Sequence, residues 1–254
     1  MSAQTNVTLH PYCTGAGRIE ARADTTRLTL DGAARTVYSD AQFTDVPNAR
    51  ARLSCPWRPP LRLTVRARSS HPADRLRGTA GFGFWNHPLG AGLPRLPRAL
   101  WFFYSAPPSN MALALGVPGP GWKAATFDAT RARFYALLPF ALPGFALMRI
   151  PALYRALWPI GQRALGVSET IVPVDMVGWH SYTLEWRKDG ADFYVDGVHL
   201  HHAPDAPRGP LGFIVWLDNQ CAVVTPQGRF GHGYVDMPGV AWLELGSVQI
   251  DALR

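Results

Sequence analysis

The chain has 254 residues, of which 47% are hydrophobic and only 17% charged, and its net charge is +7. That balance excludes a disordered chain, which needs low hydrophobicity and high charge, and the lack of a Gly-X-Y period excludes a collagenous one. The length suits a single sandwich or barrel domain over residues 1–254, and the positive sign raises the question of an anionic partner.

MSAQTNVTLH (1–10) has neither the basic start nor the apolar stretch of a secretory leader, so a cytoplasmic location is expected. Cys13, Cys55 and Cys221 are odd in number and form no C-x-x-C, which predicts buried thiols rather than a disulfide framework or a zinc knuckle. Residues 17–30 hold a few alternating apolar positions. PPLRLTVRARSS (59–70) predicts a strand, with Leu61, Leu63 and Val65 on one face and Arg62, Thr64 and Arg66 on the other. GTAGFGFWNHP (78–88) predicts a glycine-rich strand with Phe82 and Phe84 opposite Trp85. ALWFFYS (99–105) is apolar throughout and predicts a strand covered on both faces, ended by Pro107-Pro108. GWKAATFD (121–128) is a further strand.

Residues 129–168 break the pattern. No acid stands between Asp128 and Glu169, five arginines (131, 133, 149, 155, 163) supply all the charge, and four prolines punctuate the stretch. Proline is tolerated in a first helical turn, where its missing N–H would be unbonded anyway. The segment therefore predicts a chain of short helices, one starting near Pro151, where Leu153 and Leu157, and Tyr154 and Trp158, stack at i,i+4. Its longest uncharged run, 134–148, holds two prolines and falls short of the ~20 apolar residues of a membrane span.

In HSYTLEWRKDGADFYVDGVHLHH (180–202), alternation and two turns predict three short strands, with Asp196-Gly197 as a two-residue hairpin turn. GPLGFIVWLDNQ (209–220) and VAWLELGSVQI (240–250) supply two more, and GRFGHGYVD (228–236) reads as a glycine-rich loop. The sum is all-β, an antiparallel sandwich or jelly roll with a helical insert.

WHSYTLEWRKDGADFYVDG (179–197) resembles the F-H-x-Y-x-x-E-W…Y-V-D-G stretch of glycoside hydrolase family 16 and related concanavalin A-like jelly rolls. GFGFWN (81–86), FIVWLDN (213–219) and WLELGSVQI (242–250) are similar to three further strands of that family, and the likeness covers about residues 60–250 without the insert. It implies a concanavalin A-like antiparallel β-sandwich with a ligand cleft on its concave face. The family hydrolyses β-glucans and β-galactans with E-x-D-x-x-E on one strand, because a retaining mechanism needs a nucleophile and an acid/base carboxyl ~5–5.5 Å apart. No E-x-D-x-x-E occurs here, and the matching strand (98–110) carries no acid. Trp101, Phe103 and Ser105 stand in its place.

The expected cleft lining is therefore Trp85, Asn86, Trp101, Phe103, Ser105, Trp216 and Asn219. Asp218 shares a face with Trp216 and is the first candidate acid/base, followed by His180 and Tyr104; His180 also matches the family's structural histidine. Trp216 and Asp218 read equally as a core tryptophan and a strand-end carboxylate. His199, His201 and His202 would suit a metal only with a third ligand at a recognised spacing, so no metal or cofactor is expected. No phosphate-loop, dinucleotide or G-x-S-x-G motif occurs, and the arginines follow no nucleic-acid motif, so no nucleic-acid partner is expected.

The function expected is that the cleft binds or transforms an apolar or amphipathic molecule: a lipid, an isoprenoid or a glycolipid. The alternatives are a non-catalytic carbohydrate-binding protein, a hydrolase whose carboxylates come from elsewhere, such as Asp218 with Glu185 or Asp175, and a scaffold using the insert as an oligomer interface. Phe140, Phe145, Leu153, Tyr154, Leu157 and Trp158 of the insert are expected to form a lid or a membrane-facing surface, which would place the protein at a membrane surface. Core helices packed against the sandwich are the other reading of the insert.

Overall fold

The computed structural model describes residues 8–46, 55–87 and 95–253. The first seven residues of the stretch read for a leader, and Pro88, lie outside them. The described strands form two seven-stranded antiparallel sheets and a separate hairpin. The front sheet runs in the order β1 (His10–Thr14), β4 (Asp40–Thr44), β13 (Gly212–Asp218), β6 (Thr79–Trp85), β7 (Arg98–Ser105), β8 (Gly121–Asp128), β9 (Ser168–Ile171). The back sheet runs β12 (Val198–Ala203), β11 (Ala191–Val195), β10 (His180–Trp186), β5 (Leu61–Ser69), β16 (Met237–Ala252), β3 (Thr26–Ala33), β2 (Gly17–Ala21). The hairpin is β14 (Gln220–Val224) with β15 (Phe230–Tyr234).

Period-two alternation makes this a sandwich. On β5, Leu61, Leu63, Val65 and Ala67 are buried between the sheets, while Arg62 and Arg66 face solvent. Phe82, Phe84, Phe102, Tyr104, Phe213 and Leu217 answer them from the front sheet. Rings meet edge to face across the interior, Phe102 with Phe193 at 5.3 Å and Trp122 with Tyr182 at 5.6 Å. Each such buried side chain stabilises the fold by roughly 1.5–3 kcal/mol. Asp196 and Gly197 both have positive φ, 50° and 80°, the turn that lets Val195 pair directly with Val198.

The helical insert joins β8 to β9, which are antiparallel neighbours at one edge of the front sheet. It leaves and re-enters the same edge as α1 (Ala132–Leu137), a 3-10 turn (Leu138–Phe140), α2 (Ala141–Leu147) and α3 (Pro151–Ala164). Pro151 opens α3 at its first turn, as expected.

Three readings of the sequence are corrected. Residues 230–234 of the expected loop form β15, whose glycines lie opposite Cys221 and Val223 of β14. Strand alternation would put His199 and His201, two apart, on one face, but a bulge sets them against adjacent residues of β11, Tyr194 and Phe193, so they do not share one. His201 lies 2.8 Å from the Ser168 hydroxyl, while His199 and His202 both approach Asp192. Cys13, expected to be buried, is exposed on the edge strand β1.

Candidate ligand cleft

The outer face of the front sheet is built from the residues that alternate with the core. On β6 the sequence Gly81-Phe82-Gly83-Phe84-Trp85 sends both phenylalanines inward, so the glycines face out. Their lack of a side chain is what admits the indoles above them. A Cβ on Gly81 would lie 2.7 Å from the Trp216 ring, and one on Gly83 would lie 2.5 Å from Cβ of Trp101.

Over these glycines Trp101 is the hub of an aromatic cluster. Its ring centroid lies 5.2 Å from Trp216, 5.3 Å from Phe103, 5.7 Å from Trp85 and 5.8 Å from Phe127. Such pairs contribute about 0.5–1.5 kcal/mol each beyond the area they bury. Phe103 and Trp216 are buried, whereas Trp85 and Trp101 remain half-exposed. The Trp85 indole N–H has no hydrogen-bond partner among the described residues.

One end of this face is polar. Cross-strand pairing places Asp40, Asp218, Thr79 and Ser105 side by side on β4, β13, β6 and β7. The Trp216 indole donates to Thr79 Oγ1 (2.9 Å), and the Thr79 hydroxyl donates to Asp218 Oδ1 (2.7 Å), which also accepts the Gln220 amide (3.0 Å). Asp40 and Asp218 are only 1% and 5% exposed. Burial, with Asp218 as the second cause, pushes the Asp40 carboxyl up to about 8, and burial pushes that of Asp218 up to about 7. Burial and then these two carboxyls drive the Tyr38 phenol far above its ordinary range. Directly opposite positions bring Cβ atoms to about 4.5–5.5 Å, close enough for the Asp218 charge to add to the rise at Asp40. Asp40 Oδ1 and Ser105 Oγ are buried with no hydrogen-bond partner among the described residues.

On the other flank Lys123 Nζ, itself 1% exposed, pairs with Glu169 at 3.3 Å and donates to the Met111 carbonyl at 3.0 Å. The insert walls this flank. Trp158 of α3 donates to the Leu113 carbonyl (2.6 Å), and Phe145 of α2 meets Phe230 of the hairpin edge-on at 5.6 Å. Leu153, Tyr154 and Leu157 are half-buried with Trp158, whereas Phe140 faces solvent. The residues expected to form one lid surface thus divide between the wall of the sandwich and its exterior.

The structure gathers Trp85, Trp101, Phe103, Ser105, Trp216 and Asp218 on this face and places the other candidates elsewhere. Tyr104 points into the core, because it alternates with Phe103, and its hydroxyl donates to the carbonyls of Ala73 and Leu76. His180 starts β10 in the back sheet, between Asp196 (2.6 Å) and the Asp175 carbonyl. Asn86 ties the ends of β6 and β7 together through the Arg98 amide and the Leu96 carbonyl. Asn219 is fully buried, accepting from the Ser39 amide and donating to the carbonyls of Ala34, Val37 and Val235. Glu185 and Asp175, considered as partners of Asp218, belong to the back-sheet side. Glu185 is held there by Arg62 and Arg187. The partner that Asp218 does have is Asp40. The run Asp-Ala-Gln-Phe-Thr (40–44) alternates polar with apolar in a way that could have identified β4.

No family model matches the chain, and no curated protein matches it. Among solved structures it is similar to a prokaryotic β-1,3-1,4-glucanase (lichenase) derived from a mouse hindgut metagenome, at 9% identity over 99% of this chain and 96% of that one, with a TM-score of 0.53. A transglycosylase in complex with NAG matches at 9% identity over 96% of this chain and 79% of that one, with a TM-score of 0.50. A sialidase matches at 9% identity and a TM-score of 0.47, and the chain spans 17% of its length. The likeness is one of fold: the jelly roll resembles that of glycoside hydrolase family 16, as the sequence implied.

Proposed function

We propose that the outer face of the front sheet recognises carbohydrate, with the sugar ring stacked on Trp85 and Trp101. The observation that carries this is the aromatic platform itself. Two half-exposed indoles are held in a fixed array by Phe103, Trp216 and two glycines, on a fold shared with a glucanase and a transglycosylase. A rigid ring system presents an apolar face at low entropic cost, which suits the C–H face of a pyranose. Strand β7 carries no acidic residue, so the platform stands where the family's hydrolytic strand would be expected.

A second reading gives the site chemistry. Asp40 and Asp218 share an environment in which one carboxyl keeps its proton as the other loses it, the pairing that acid–base work on a glycosidic bond uses. An apolar or amphipathic ligand would use the same rings, and the greasy flank of the insert supports that variant.

The test is a glycan array followed by calorimetry on the full chain and on Trp85→Ala. Removing a central tryptophan costs on the order of 2 kcal/mol at a binding hot spot, about thirty-fold in Kd. Binding that Trp85→Ala leaves intact would move the sugar to another surface. No glycan bound, together with a co-purifying lipid found by mass spectrometry of an organic extract, would transfer the site to the apolar ligand. Hydrolysis of a bound glycan that is lost in Asp218→Asn would establish the second reading.

A further inference from the structure

We infer that the apex of the insert docks onto an anionic lipid surface, a role separate from that of the cleft. Neither α1, the 3-10 turn nor α2 has a buried residue, although these elements are almost wholly apolar. Leu142 is 81% exposed and Phe140 66%, and Tyr135, Leu138, Leu147 and Ile150 are exposed beside them in the chain. A soluble protein rarely leaves so continuous an apolar stretch in water unless something covers it.

Charge identifies what covers it. Of the five insert arginines, only Arg131 has a salt-bridge partner among the described residues, Asp205 at 2.6 Å. Arg133, Arg149, Arg155 and Arg163 have neither an ion pair nor a side-chain hydrogen bond there, and no acid lies between residues 129 and 168. Apolar side chains flanked by uncompensated arginines match a bilayer interface, where the first enter the acyl boundary and the second meet phosphate headgroups. A second copy of the chain fits less well, since a two-fold contact through this apex would bring both sets of unpaired arginines together. No helix among the described residues is long and apolar enough to cross a membrane, so the apex lies on the surface. The prolines serve this arrangement by breaking the insert into short pieces, which leave Phe140 and Leu142 exposed while Trp158 and Gln162 tie α3 to the backbone of Leu113 and Leu115.

The experiment is co-flotation of the purified full chain with vesicles of phosphatidylcholine alone and of phosphatidylcholine containing about one third phosphatidylglycerol, at low and high salt. The expected result is binding to the anionic vesicles that weakens with salt. It should fall at least ten-fold in the double variant Phe140→Asp/Leu142→Asp, and the preference for anionic lipid should disappear in Arg149→Glu/Arg155→Glu. All four side chains are exposed, so thermal unfolding should match the parent and show that the variants fold. No flotation with either vesicle, or flotation that Phe140→Asp/Leu142→Asp leaves unchanged, overturns the proposal. A concentration-dependent dimer in light scattering, abolished by Leu142→Asp without any vesicle binding, overturns it in favour of a second copy. Glycan binding by the apex variants should equal that of the parent, which keeps failure here distinct from failure of the cleft assignment.

Discussion

Asp40→Asn isolates the carboxyl dyad. The folded state holds the Asp40 proton up to about pH 8, whereas the unfolded chain releases it near its ordinary value of 3.8. Between those values the folded state binds more protons, so stability must decline as pH rises through the window. Each unit of displacement corresponds to about 1.4 kcal/mol, so Asp40 alone accounts for on the order of 5 kcal/mol lost between pH 4 and pH 9. Asparagine has the same shape, keeps an oxygen to accept from Tyr38, and cannot ionise. The variant should therefore lie within about 1 kcal/mol of the parent at pH 4 and exceed it by several kcal/mol at pH 9. Urea denaturation at one-unit pH steps, extrapolated to water, reads both curves. Parallel curves for parent and variant would refute the argument, because they would mean that Asp40 titrates in the folded protein as it does in the unfolded chain.

The other perturbations act on the same face. Asp218→Asn should lower the pH at which Asp40 titrates, since the Asp218 charge is one cause of its rise, and an NMR titration of the Asp40 carboxyl would show it. Lys123→Ala leaves Glu169 buried without its cation, which should cost roughly 3–5 kcal/mol near neutral pH. That loss should shrink under acid, where Glu169 takes a proton; calorimetric unfolding at pH 4 and pH 8 compares the two. Gly81→Ala would set a Cβ 2.4 Å from the Phe102 carbonyl oxygen and 2.7 Å from the Trp216 ring. Overpacking of this kind costs about 1–3 kcal/mol, and the displaced indole should change the near-UV circular dichroism.

The sandwich was legible in sequence wherever one face of a strand is core and the other is solvent or aromatic. Leu61-Leu63-Val65, Phe82-Phe84 and Tyr182-Leu184 all keep the period of two, and the observed strands follow it. What escaped were short edge elements. β1, β9 and β14 have only four or five residues and carry few buried side chains, so pairing rather than pattern makes them strands. The aromatic half of the cleft was legible because Trp85, Trp101 and Trp216 stand on strands of clear parity. The polar half was not. Asp40 lies 178 positions before Asp218 in the chain, and only the order β4–β13 in the sheet makes them neighbours. Tyr104 lies off this face for a related reason: its parity with Phe102 sends it inward.

The arginines differ in what stands opposite each guanidinium. On the back sheet Arg27 stacks over Trp242 at 4.1 Å and Arg66 over Trp179 at 4.4 Å. Arg68 lies over both rings, and Arg27 and Arg68 share the nearly buried Glu244. Arg62 and Arg187 bracket Glu185 in the same way. These cations are spent inside the scaffold, where rings and carboxylates already satisfy them, and they offer little to a polyanion. Four of the five insert arginines lack such partners among the described residues, so on the insert unpaired charge stands beside exposed apolar side chains. The net charge of +7 therefore describes neither face well. Moderate salt screens exposed charges over about 8 Å at physiological strength, and it should weaken what the insert binds while the partly buried pairs of the back sheet, and with them the fold, hold.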